Sequence, residues 1–482
     1  MLLMVAAVLA APACRQQPEG APRVVVIGAD PQIRDPAKGP LSPADAVLVE
    51  NVAQGLVRFD AAGNIVPGLA ERWNVSDDGL SYIFRIASAN WPDGKKITAQ
   101  QVAKILKRAI GPNSHNPLRD TVGAIDDIVA MTDRVIEIRL VAPRPNMLTL
   151  LAQPDLAILR DGVGTGPFSA APNGQTAGAF RLTRNIVSED EETGKKDEVL
   201  LSAAQAEVAV RSFANGNSDL VLGGTFAELP YAQRVKLPRD SIVFDPASGL
   251  FGLLPRGNRN GIDKAEVRRL LSQAIDRDAL IAALGVPNLA SRATLLEAGL
   301  DGMPAPVAPA WFGTPLATRL PQLQAEAGRL FGKQPKSTIT VALPVGPGGD
   351  AVLAVLSRSW GALGLLVERA QSAESADFVL VDEVAPSSSA AWFVRNIRCG
   401  AAVVCDPAID QLIDAARQTP IPQQRFALLQ QAADKIDEEQ LFLPITAPVR
   451  WSLVGRRIQG FTGNRFAVHT LTDLEQRPGT GN

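Results

Sequence analysis

Two adjacent acids, Asp382 and Glu383, are placed to do chemistry because they follow the apolar run Phe378-Val379-Leu380-Val381. In an open α/β sheet, ligands collect beyond the carboxyl ends of such strands. A carboxylate there can hold an ammonium group; the alternatives are a solvated loop acid, or one paired with Arg395 or Arg398. A second candidate is Gly223-Gly224-Thr225, where the buried strand Asp219 to Leu222 runs into backbone bare enough for a ligand to approach. Bond-making chemistry is poorly provided for. The chain has 2 histidines, His115 and His469, in unrelated contexts. A His-rich metal site is therefore excluded, and a Ser-His-Asp triad would have to draw on one of these two. No GxSxG elbow, P-loop or HExxH is present. These residues describe a binder, not an enzyme: no catalytic residue, no metal and no cofactor is expected.

The elements that must position the two acids are legible from Ser337 to Glu383. They read as strand TITVAL, a helix from Asp350 to Leu363, strand LLVERA and strand DFVLV, which implies a right-handed parallel crossover. Upstream, Ala203 to Gly216 reads as helix, and Asp263-x-x-Glu266 caps a helix with Val267, Leu270, Leu271, Ala274 and Ile275 inward. Asp276 caps the next helix, which closes at Gly285. Ala298 to Pro321 has no regular period and reads as a long covering loop with Trp311-Phe312 as its plug. Downstream, Asp406-Pro407 starts one helix and Pro422 another. Trp451 either lines a cleft or packs.

Size and charge narrow the class further. At 482 residues the chain needs two or three substructures. Its net charge of -2 is interspersed along the sequence, which excludes a basic face for nucleic acid and favours a small-molecule or peptide ligand. Met1 to Ala13 contains no polar residue and ends in Ala11-Pro12-Ala13-Cys14. That stretch is too short to span a bilayer but suits the apolar core of a signal peptide.

The most specific pattern is VPGLAERWNVSDDGLSYIFRIASANWPDGKKITAQQV, from Val66 to Val102. Asp77-Asp78-Gly79 turns into an alternating strand, Tyr82 to Ile86, which can pair with Val135 to Leu140. Pro92-Asp93-Gly94 turns again, and Thr98 with Gln101 forms a capping box for a helix ending at Gly111-Pro112. This order resembles the extracytoplasmic solute-binding proteins of peptide-type ABC transporters. Five further stretches resemble the same family in the same order: Asp35-Pro36, GTGPF from Gly164 to Phe168, GNSD from Gly216 to Asp219, the helix from Glu266, and CDPAIDQLIDAA from Cys405.

The resemblance implies an α/β, two-lobed fold of the periplasmic-binding-protein type II kind with an additional small α+β subdomain. The expected division is a signal peptide at 1–13, a tether at 14–22, lobe I from 23–49, 164–246 and 446–478, the subdomain at 50–163, and lobe II at 247–445. It implies a monomeric receptor that delivers a peptide or other small solute to an ABC permease. In such proteins an Asp near position 382 holds the solute's ammonium. GTGPF is then a crossing segment returning to lobe I. The lipoprotein-like leader makes Cys14 the acylated residue of a membrane-anchored periplasmic protein, with Arg15 to Pro22 reaching ~25 Å at full stretch. Arg15, standing where Asp retains many lipoproteins in the inner membrane, leaves the choice of membrane open. It leaves room for an envelope lipoprotein without a permease. Outside the cytoplasm, Cys399 and Cys405 either close a tight disulfide loop or remain buried thiols.

Overall fold

The computed structural model describes residues 20–186, 195–332 and 337–476. The leader, Cys14 and the first part of the tether lie outside them. Two mixed sheets form the centres of two lobes, and a third sheet belongs to a smaller unit beside the first lobe.

The first sheet has seven strands, and Arg23–Ile27 is near its middle. That strand runs parallel to Lys195–Ala204 on one side and to Leu220–Thr225 on the other. Its residues Val24 and Val26 are fully buried, as a strand covered on both faces requires. The strand Lys195–Ala204 also takes the start of the expected helix from Ala203: edge-to-edge pairing through Ala204 holds the chain extended, and the helix is confined to Ala206–Ala214.

The second sheet has five strands in the order Leu366–Arg369, Thr338–Ala342, Phe378–Val384, Gly249–Pro255 and Leu443–Thr446. Thr338–Ala342 is parallel to both of its neighbours, with the helix Pro347–Gly361 in the crossover, as expected. Gly249–Pro255 is buried along its whole length.

Three local expectations are corrected. The helix after Asp263 has Lys264 at its cap and no side-chain capping bond. The Asp263 carbonyl instead accepts from Arg268 Nη1 at 2.7 Å. The covering loop stops at Pro315, because Leu316–Phe331 is a helix with Pro321 inside it. Its buried Leu323 and Ala327 join the main apolar core, which outweighs the backbone bond that proline removes. Ile275 is buried, but it lies one residue beyond its helix.

The small unit has the order Ala70–Val75, Ser81–Ile86, Val135–Leu140 and Ile125–Thr132. The helix Ala99–Ile110 covers it, and Thr98 with Gln101 forms the predicted capping box. Val102, Leu106, Phe84 and Ile138 lie in its separate core. GTGPF binds this unit to the first lobe through close backbone approach. A Cβ on Gly164 would overlap Ala53, and one on Gly166 would overlap the Asn51 carbonyl.

The two lobes are joined by two short crossings, residues 245–248 and 447–449. Beside them, Phe226 of the first lobe meets Phe251 of the second edge-on, with ring centres 5.0 Å apart. Buried residues of both sheets form one apolar core there, from Val25 and Val221 in the first lobe to Val341 and Phe378 in the second.

Candidate functional site

Asp382 lies inside the strand Phe378–Val384, opposite Phe251, not beyond its end. Its carboxylate has a partner from the other lobe. Arg450, the first residue of the strand Arg450–Val454, donates through Nη1 to Oδ1 at 2.8 Å and to Oδ2 at 2.9 Å. Arg450 Nη2 also reaches the Asp382 carbonyl at 3.0 Å. Burial raises the Asp382 carboxyl above its ordinary range, and Arg450 opposes that shift. The expected ammonium position is therefore filled by an internal guanidinium, and neither Arg395 nor Arg398 is the partner. Glu383 points to the exposed side of the same strand.

The bare backbone at Gly223-Gly224 is also occupied. A Cβ on Gly224 would overlap the Trp451 ring, and Trp451 Nε1 donates to the Thr225 carbonyl at 2.7 Å. Thr225 Oγ1 donates to Glu228 at 2.6 Å. Trp451 is 1% exposed, so it packs and does not line a cleft.

A further cavity lies where the small unit faces three helices of the second lobe: Ala390–Arg395, Pro407–Gln418 and Pro422–Glu439. It measures about 200 Å³ and is lined from both sides. Arg395 donates to the Asp120 carbonyl at 2.9 Å and to Thr121 Oγ1 at 2.7 Å. Arg417 donates to the Gly123 carbonyl at 3.0 Å, and Arg144 to the Arg417 carbonyl at 2.9 Å. Asn146 donates to Asp301 at 2.8 Å. Above the cavity, Gln153 Nε2 reaches the Pro386 carbonyl at 2.7 Å.

Asp301 is the cavity's buried acid. It also accepts from Ser389 Oγ at 3.1 Å and from the Ala390 amide at 2.9 Å, and Arg425 stands 3.6 Å away. Ser387, at 1% exposure, lines the cavity with a hydroxyl that has no partner among the described residues. Burial first, and neighbouring arginines second, push the Arg144 guanidinium down to about 10. Arg395 falls to about 10 mainly through burial. Both stay cationic at neutral pH.

A more open concavity of about 590 Å³ lies at the 245–248 crossing. Ser248, Phe312 and the ion-paired cluster Arg292, Glu297 and Arg465 line it, with Glu297 at 2.6 Å from Arg292 and 2.9 Å from Arg465. The covering loop thus lines a concavity at that crossing. Cys399 and Cys405 form a disulfide in the loop that enters the helix Pro407–Gln418.

The cavity's arginines and Ser387 were not singled out from the sequence as ligand residues. The signal was there in the concentration of Arg395, Arg398, Arg417 and Arg425 within a short span beside Ser387-Ser388-Ser389, but only the fold brings Arg144 to meet them.

The profile of the bacterial extracellular solute-binding proteins, family 5 (middle), matches residues 64–380. The periplasmic oligopeptide-binding protein OppA of Escherichia coli is 22% identical over 499 residues, covering 92% of this chain and 90% of that protein. A probable deoxycholate-binding periplasmic protein of Escherichia coli, YgiS, is 31% identical over 184 residues, and that match spans 34% of its own length. Among solved structures, the Escherichia coli murein tripeptide binding protein MppA superposes with a TM-score of 0.79 at 17% identity, covering 95% of this chain and 98% of that one. The two-lobed fold of such proteins is the fold of this chain.

Proposed function

This chain belongs to the bacterial extracellular solute-binding proteins, family 5, and from that membership we propose that it is the extracytoplasmic receptor of an ABC importer. It takes a peptide or peptide-like solute between its two lobes and passes it to a permease. It acts in the periplasm as a monomer, held to the membrane through acylated Cys14. The likeness to an oligopeptide-binding protein over nine-tenths of the chain supports the peptide reading. The single observation that carries the mechanism is the hinge: two crossings, 245–248 and 447–449, are the covalent links between the two sheets, about which the lobes part and shut around a solute.

Closure excludes water from the enclosed groups, which strengthens each hydrogen bond and ion pair made to the solute. In the shut arrangement Asp382 of one lobe holds Arg450 of the other. A solute ammonium would have to displace Arg450 to reach that carboxylate, so Asp382 serves closure as a latch beside the hinge.

Native mass spectrometry of protein purified without refolding tests the reading. A co-purified peptide, released on unfolding, is the expected result. A retained lipid or glycan, with no affinity for peptide pools, would overturn the peptide assignment.

A further inference from the structure

Five arginines and three aspartates wall the cavity between the small unit and the second lobe. Two of the aspartates are already committed within it: Asp301 to Asn146, Ser389 and Arg425, and Asp414 to Arg398 at 3.9 Å. Asp120 is paired with Arg119 at 3.1 Å and is largely exposed. Among the described residues, Arg144, Arg395 and Arg417 therefore have no carboxylate within ion-pair distance.

Their hydrogen bonds go to neutral oxygens. Arg144 donates to the Pro143 and Arg417 carbonyls, and Arg395 to the Asp120 carbonyl and Thr121 Oγ1. A guanidinium offers about five N–H donors, so most of each fork remains for another acceptor. Closure makes the imbalance worse. Arg144 comes from the small unit, and Arg417 and Arg425 come from the second lobe, so shutting the lobes drives like charges together. Arg144 and Arg395 are half-buried and Arg417 is exposed; Asp301 and Asp120 offset part of the charge on the first two from beyond ion-pair distance, and a partly buried cation short of counter-charge is costly. The Ser387 hydroxyl, buried and unpartnered at the same cavity, adds a neutral donor.

We propose that this cavity is an anion-recognition pocket that takes a carboxylate-bearing group of the solute, so that the receptor favours acidic solutes. At about 200 Å³ it is smaller than the roughly 300–1,000 Å³ that holds a whole small-molecule ligand, so it accepts one group and not the entire molecule. Paired guanidinium forks from opposite faces suit a carboxylate, which each can grip through two bonds. The anion would also act as the bridge that makes closure favourable, because it binds the shut state and has half its partners in the open one. The proposal rests on the receptor reading only in taking the anion to be part of the solute.

Calorimetric titration with the tripeptides Ala-Glu-Glu and Ala-Gln-Gln tests it on the unaltered protein. At least tenfold tighter binding of the acidic peptide is expected, with the preference falling to less than threefold in Arg395→Gln and in Arg144→Gln. Equal affinity for the two peptides, or a preference that survives both substitutions, overturns the proposal. Arg269→Gln, at an exposed ion pair with Glu439, is the control and should keep the preference. If neither peptide binds, the peptide reading fails, and sulfate then decides the pocket by itself. A thermal shift of several degrees with sulfate that disappears in Arg395→Gln sustains the anion site; no difference between the two proteins overturns it.

Discussion

Glu50 shows how one side chain sets a pH dependence without touching the solute. It lies on the helix Pro43–Val52, its Oε1 has no partner among the described residues, and burial pushes its carboxyl up to about 8. The unfolded carboxyl titrates near ~4.3. Between these values the folded chain keeps a proton that the unfolded chain has released, so stability falls as pH rises through this window. Glu50→Gln should flatten that slope, with little change near pH 4 and a gain on the order of 4–5 kcal/mol near pH 8. Urea unfolding at the two pH values checks it, and an equal effect at both would refute the assignment. The Asp382 carboxyl is shifted the same way, because burial outweighs the charge of the Arg450 guanidinium paired with it. Asp382→Asn leaves a partly buried guanidinium without its anion and should cost about 2–4 kcal/mol. Combining Asp382→Asn with Arg450→Gln should recover part of that loss in a double-mutant cycle.

Elements differ in how far local pattern specifies them. The stretch Val66 to Val102 was legible because each turn, strand and cap there is written in residues close in sequence, and the capping box of Thr98 and Gln101 needs nothing distant. The crossover around Thr338–Ala342 was legible for the same reason. The strand Lys195–Ala204 was not, because its extended form is imposed by pairing with Arg23–Ile27, far away in sequence. The helix Leu316–Phe331 hid behind Pro321, and only tertiary burial of Leu323 and Ala327 reveals it. Site residues follow the same rule. Asp382 could be picked out by its strand, but its partner Arg450 comes from the other lobe, and the arginine cavity exists only where two units meet. The bulge at Gly223-Gly224 gives the test at this scale, since the Trp451 ring lies against Gly224. Gly224→Ala must displace a buried indole and should destabilise by about 1–3 kcal/mol, read as a lower urea midpoint. Cys405→Ala should cost about 2 kcal/mol by freeing the loop before the helix Pro407–Gln418.

At the scale of the molecule, polar contacts tie the second lobe to the small unit and to the first lobe, beside an apolar core that the two lobes share. Arg395 reaches Thr121 and the Asp120 carbonyl, Arg417 reaches the Gly123 carbonyl, Asn146 reaches Asp301, and Arg450 reaches Asp382. The apolar contact of Phe226 with Phe251 lies near the pivot and persists through small rotations, whereas contacts far from a pivot part first. Opening should therefore expose the segments 120–124 and 387–390 while the seven-stranded sheet keeps its hydrogen bonds. A solute that binds the shut state shifts the population toward it by its difference in affinity for the two states. Hydrogen exchange with and without saturating solute should show added protection at 120–124 and 387–390, and none at Arg23–Ile27, whose parallel ladders do not cross between the lobes. Protection spread evenly over both sheets would mean global stabilisation by mass action, and the hinge would then carry no part of recognition.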